Sequence, residues 1–235
     1  MLNNNEDLQD YQRKMIMKKR GLIFDFNGTL YWDSEYQEIS WDKFLKAHNI
    51  YLTTAQKNEF IHGRNGKETL EILFKRKFSD LEVEQYTEEK ESIYRNECLK
   101  HEMKLAPGAI ALLEYLKSQE IPIAIATASG KTNVDFFVDK FNLLDYFAEE
   151  HIIYNDGKIK GKPHPDIFEK AIHKLGVSQE ESIIFEDSLS GIQAAINCKV
   201  AKVIIVNSTK EDYSGFKLPV IEHFDQFDRN LTTYT

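Results

Sequence analysis

"GLIFDFNGTL", residues 21–30, reads as a short buried strand that stops abruptly at a turn. Leu22, Ile23 and Phe24 form a continuous apolar run, which suits a strand covered on both faces. The run delivers Asp25, then a second polar side chain at Asn27, and Gly28 and Thr29 let the chain turn away. In a hydrolytic site the second polar position would be expected to carry an acid. Here it carries an amide.

Further apolar runs follow at "IPIAIAT" (121–127), "HIIY" (151–154), "SIIFED" (182–187) and "AKVIIV" (201–206). Pro122 restricts the second run to starting at about that point or lying at an edge. Helical spacing joins Ala109, Leu112, Leu113 and Leu116, then Phe168, Ala171, Ile172 and Leu175, and "SLSGIQAAINCK" supplies Leu189, Ile192 and Ile196. Continuous apolar strands alternating with amphipathic helices predict an α/β fold, a doubly wound parallel sheet.

Residues 34–103 break the alternation. No strand stands out there, and helical signals come in succession, with Trp41, Phe44, Leu45 and His48 on one face and Leu70, Leu73, Phe74 and Phe78 on another. A third helix over "EQYTEEKESIYRNECLKHE" is expected to be charged and largely exposed. The expected organisation is a mobile leader over 1–14, a core domain over 15–33 and 104–235, and an inserted helical cap domain over 34–103.

With 235 residues and 42% hydrophobic content, the chain can bury a full core. A formal net charge of -8 argues against nucleic acid or an anionic membrane as the main partner. No run of about 18 apolar residues is present. The two cysteines, Cys98 and Cys198, have no metal-binding spacing. A cytoplasmic protein is expected, and a monomer, since no coiled-coil signature is present.

Doubly wound sheets bind ligands beyond the carboxyl ends of their strands. The polar residues there are Asp25 and Asn27, Thr127 and Ser129, Glu186 and Asp187, with Lys162 in a flanking loop. A phosphomonoester dianion is repelled by a carboxylate nucleophile. A hard cation such as Mg²⁺, held by Asp25, Asp187 and a backbone carbonyl, would make attack possible. Lys162 would add positive charge, while Thr127 and the amides from Ser129 to Thr132 would donate to the transferring oxygens. Singly, each residue could equally be a cap, a turn former or a solvated lysine. Their recurrence at successive strand ends points to phosphoryl transfer through an aspartyl-phosphate.

On these ordered motifs the chain resembles the haloacid dehalogenase superfamily over roughly residues 20–225, in the subgroup with a helical cap near β-phosphoglucomutases and sugar-phosphate phosphatases. The resemblance implies Asp25 in "DFNGT" as nucleophile and metal ligand, with the Asn27 backbone carbonyl as another ligand. It matches Thr127 in "ATAS", Lys162 in "KGKPHPDIF" and Asp187 in "FEDS", with Glu186 near the metal or joined to it through water. Gly28, Thr127, Ala128, Ser129 and Lys162 would hold the phosphate. The cap should choose the leaving group, through His62, Arg64, Asn65 and Lys67 of "IHGRNGKETL" (61–70) and Gln37, where the family usually carries histidine. A helix-start loop with solvated charges is an equal reading of 61–70.

In the family, the position of Asn27 is normally an aspartic acid that exchanges a proton with the leaving group and the water. Losing general acid–base catalysis costs about 10²–10⁴-fold, which leaves a slow enzyme rather than none. The expected function is a Mg²⁺-dependent phosphatase of small phosphorylated metabolites such as sugar phosphates. The alternatives are a hexose-phosphate mutase, and a non-catalytic phosphate-ligand binding protein or an engineered Asp-to-Asn variant.

Overall fold

The computed structural model describes residues 17–61, 66–209 and 211–234. The leader expected over 1–14 lies outside them. The apolar runs become β2 (Gly21–Phe24), β3 (Ile123–Ala126), β4 (Ile152–Ile153), β5 (Ser182–Glu186) and β6 (Lys202–Val206), joined by β7 (Val220–Ile221). All pair in parallel, in the order β4-β3-β2-β5-β6-β7. The chain runs outward from β2 through β3 to β4, then crosses back to place β5 on the other side of β2. That reversal puts the crevice of the sheet beside the carboxyl end of β2.

Because side chains alternate across a strand, each run covers two faces. Leu22, Phe24, Ile123, Ile125 and Phe185 enter one core with Leu112, Leu113 and Leu116 of helix α5 (Ala109–Ser118) and Phe137 of α6 (Lys131–Phe141). Ile23, Ala124, Ala126 and Ile184 enter the other, with Phe168 and Ala171 of α7 (Asp166–Leu175) and Ala194 and Ala195 of α8 (Leu189–Asn197). Pro122 precedes the first residue of β3, and its carbonyl accepts the Leu22 amide at 2.9 Å. Proline therefore costs this central strand no ladder bond.

Between β2 and α5, among the described residues, stand four helices, α1 (Ser34–Ala47), α2 (Thr54–Phe60), α3 (Gly66–Phe74) and α4 (Asp80–Cys98), which form the inserted cap. Phe44, Leu70 and Phe78 make one small core, and Leu45, Ile61 and Leu73 a second. Helices α2 and α4 start on full capping boxes, Thr53 with Gln56 and Ser79 with Glu82. The expectation of an exposed charged third helix holds only for the first part of α4. Its last turns bury Lys90, Tyr94, Glu97 and Cys98, because that end packs on α1 and on the core.

One further pairing lacks a sequence signal. Strand β1 (Lys18–Lys19) pairs antiparallel with β8 (Thr233–Tyr234), closing the amino end of the described chain against its carboxyl end. Among the described residues no helix is long and apolar enough to cross a membrane.

Candidate active site

Asp25 leaves β2 with its amide held by the Phe185 carbonyl at 3.0 Å, and the residue is buried. Lys162 reaches in from the loop before α7 and places Nζ 2.6 Å from Asp25 Oδ1 and 2.5 Å from Glu186 Oε1. Glu186, the last residue of β5, is 1% exposed, and its other oxygen accepts the Ser188 amide at 2.7 Å. Asp187, the next residue, accepts the Thr29 hydroxyl at 2.8 Å.

Two glycines make this packing possible. Gly28 has φ +82, and a Cβ there would collide with the Asp187 carboxylate. At Gly191, in the first turn of α8, a Cβ would collide with the Glu186 carboxylate. Backbone thus takes the place of side chain on both sides of the acids.

Burial, reinforced by the charge of Glu186, pushes Asp25 well above the usual carboxylate range despite the pull of Lys162. Asp187 is raised by burial and by the charges of Glu186 and Asp25. Burial opposes the charge on Lys162, but the Asp25 and Glu186 carboxylates outweigh it and raise that lysine. One lysine thus faces three carboxylates in a water-poor corner. This excess of hard anionic oxygen suits a divalent cation. Among the described residues no group of three or more His, Cys, Asp or Glu side chains is arranged to hold a metal unaided. The donors that fit are the two Asp carboxylates and backbone carbonyl oxygen, since Glu186 is engaged by Lys162 and Ser188.

Thr127 follows β3 and is 2% exposed. Its hydroxyl accepts the Ser129 amide at 3.1 Å and lies 3.4 Å from Asn27 Oδ1, which also accepts the Ser129 hydroxyl at 2.8 Å. The opposite end of the Asn27 amide donates to Asp33 Oδ2 at 2.8 Å. Asp25, Asn27, Thr127, Ser129, Lys162, Glu186 and Asp187 therefore gather at the ends of three neighbouring strands, β3, β2 and β5.

Beside them a cleft of about 890 Å³ opens between cap and core. Trp41 and Lys90 line it from the cap, and Ala128, Ser129 and Asn155 from the core. Of the cap residues expected to face substrate, His62, Arg64 and Asn65 lie outside the described residues. Lys67 does not line the cleft and instead pairs with Asp80 at 2.7 Å on the surface. Gln37 stands where cap meets core, donating to Asp33 at 3.2 Å and accepting from Lys90 Nζ at 2.6 Å. Sequence reasoning missed Asp33, Lys90 and Tyr94. Lys90 and Tyr94 sit in a helix whose charge pattern reads as exposed, and the only signal was their spacing of four on one helical face.

A parallel sheet with this acid and lysine corner, roofed by helices inserted after its first core strand, defines a class. The chain matches the family described as haloacid dehalogenase-like hydrolase over residues 22–206, and it belongs to that family. It is similar to a HAD hydrolase, family IA, variant 3 from Entamoeba histolytica, at 35% identity and TM-score 0.83, covering 91% of this chain and 97% of that one. It shares its fold with CbbY from Rhodobacter sphaeroides, a structure in complex with phosphate, at 23% identity and TM-score 0.74, covering 89% of this chain and 96% of that one. Hexitol phosphatase A of Escherichia coli is 30% identical over 114 residues, 48% of this chain. That match spans 50% of the length of the curated relative.

Proposed function

We propose that the protein is a Mg²⁺-dependent phosphatase of small phosphorylated metabolites that works through an aspartyl-phosphate on Asp25. The observation that carries this reading is the ion cluster in which buried Lys162 bridges Asp25 and Glu186 at the sheet's switch point. A purely structural sheet gains little from burying three acids around one lysine. The hexitol phosphatase likeness supports a polyol or sugar phosphate as the substrate class.

An Asp25 oxygen attacks phosphorus, the ester P–O bond breaks, and the leaving oxygen keeps the bonding pair and takes a proton from solvent. Water then attacks the phosphoryl group, the Asp25–phosphorus bond breaks, and inorganic phosphate leaves as the water proton passes to solvent. Lys162 offsets charge on the transferring oxygens, and the Ser129 and Thr127 hydroxyls, directed at Asn27 Oδ1 in the structure, turn to those oxygens when the phosphoryl group is bound, which frees Asn27 Oδ1. Magnesium would be held by Asp25, Asp187 and the Asn27 backbone carbonyl, with Glu186 nearby, and would screen the carboxylate from the phosphate dianion. Asn27 has no proton to exchange, so turnover is expected to be slow for substrates with poor leaving groups.

The test is phosphate release from a panel of hexitol, hexose and glycolytic phosphates with Mg²⁺. The expected result is release by wild type that falls to background in Asp25→Asn and on chelation. Release that survives Asp25→Asn would overturn the proposal, as would a silent wild type beside an active Asn27→Asp. Conversion of a sugar 1-phosphate to its 6-phosphate isomer would instead mark a mutase.

A further inference from the structure

We propose that Asp33 and the cap residue Tyr94 form a clasp that fixes the Asn27 amide with its carbonyl oxygen turned to the phosphate side, making Asn27 a hydrogen-bond acceptor for the attacking water or leaving hydroxyl. The catalytic part rests on the phosphatase reading above. The clasp itself does not.

Asp33 occupies the N-cap position of α1, where an aspartate ordinarily accepts an amide of the first helical turn. Its side chain makes no such bond. It turns inward and is 1% exposed, with four donors aimed at it. Oδ2 accepts from Asn27 Nδ2 at 2.8 Å, from the Tyr94 hydroxyl at 2.5 Å and from Gln37 Nε2 at 3.2 Å, while Oδ1 accepts the Gly28 amide at 3.0 Å. Four donors around two oxygens leave the carboxyl only accepting roles.

That fixes the sense of the Asn27 amide. A planar amide with its NH₂ on a carboxylate must present its oxygen on the other side. There Asn27 Oδ1 meets the hydroxyls of Ser129 at 2.8 Å and Thr127 at 3.4 Å, the two residues at the phosphate end of β3. An aspartate at 27 would instead set two carboxylates against one another. Asp33 thus sets which way the Asn27 amide faces.

Tyr94 ties this pair to the cap. It is fully buried on α4, its hydroxyl donates to Asp33 and accepts from Asn27 Nδ2 at 3.2 Å, and the bond to Asp33 spans 61 residues of sequence. When α4 moves away from the core, the amide loses one partner and Asp33 loses a buried donor. The seated cap therefore supplies one of the two partners of the Asn27 NH₂ and one of the four donors on Asp33.

Two measurements test the clasp. In ¹⁵N-asparagine-labelled protein, the Asn27 side-chain amide is assigned by its loss in Asn27→Asp. It should exchange slowly with solvent, and it should shift in Tyr94→Phe, a variant that leaves Asp33 in place. Fast exchange, or no response to Tyr94→Phe, overturns the clasp whether or not any ester is hydrolysed. The second is a kinetic cycle. Asp33→Asn should lower kcat about 10- to 100-fold in the wild type with KM changed less than about twofold. In the Asn27→Asp background the same substitution should raise kcat, because an amide at position 33 donates to the carboxylate introduced at position 27, whereas Asp33 repels it. A merely structural Asp33 would lower kcat by the same factor in both backgrounds, and that result would overturn the proposal. If no variant releases phosphate from any ester, the phosphatase reading fails by itself and the amide resonance decides the clasp.

Discussion

At the scale of single residues, Lys162 holds the site's charges together. Its side chain is 8% exposed and sits between Asp25 and Glu186, which are 7% and 1% exposed. Removing one partner of a buried ion pair typically costs about 3–5 kcal/mol, because the other charge stays behind unpaired. Lys162→Met should therefore lower the unfolding free energy by about 3 kcal/mol at pH 8. The loss should shrink toward pH 5, since burial has already raised Asp25 and protonation removes the repulsion with Glu186. Urea unfolding at the two pH values checks this, and equal losses would contradict it. The placement of Asp25, Thr127, Glu186 and Asp187 was legible in the sequence because short strands end where their apolar runs end, and ligands gather there, while Lys162 was read from the motif of a flanking loop. Asp33 was not, since an aspartate before a helix reads first as a cap. Its inward turn is met by donors from Asn27, Gly28 and Gln37 and by Tyr94, which the packing of α4 brings from 61 residues away.

At the scale of elements, the turn after β2 and the first turn of α8 admit the acids only because their backbones are bare. The two glycines separate strain from contact. Gly28 has φ +82, so Gly28→Ala adds backbone strain of about 1–2 kcal/mol to the collision with Asp187. Gly191 has no such strain, and on helix propensity alone Gly191→Ala should stabilise α8 by about 1 kcal/mol. The Glu186 carboxylate already fills that space, however. Gly191→Ala should thus lower the melting temperature and reduce phosphate release by at least about tenfold, with Gly28→Ala worse on both counts. A Gly191→Ala protein that melts higher and keeps its turnover would show that the Glu186 side chain yields freely. The core elements were readable because each buried strand is a short unbroken apolar run, as at Leu22 to Phe24. The β1–β8 pair and β7 were not, since these short pairings form only where folding brings distant segments together.

At the scale of the whole molecule, a parallel sheet of hydrophobic strands positions a corner that carries more negative charge than it neutralises, inside a chain of formal net charge -8. The cap helices cover that corner and line one wall of the cleft. Stability and cation binding should therefore be linked through protons. Burial first, then the charge of Glu186, raises Asp25 from 3.8 to about 7 against the opposing pull of Lys162, and Asp187 moves in the same direction. A carboxyl whose pKa is higher folded than unfolded binds its proton more tightly in the native state. Its contribution is full below the unfolded value and is lost as pH rises through the folded one. From this source the metal-free protein should lose stability between about pH 4 and pH 7. A divalent cation takes the same oxygens only in their ionised form, and a ligand of the native state stabilises it by mass action. The rise in melting temperature on adding excess Mg²⁺ should be small at pH 5 and should grow up to pH 8, and Asp187→Asn should flatten the trend. A rise independent of pH, or one untouched by Asp187→Asn, would place the cation somewhere other than this corner.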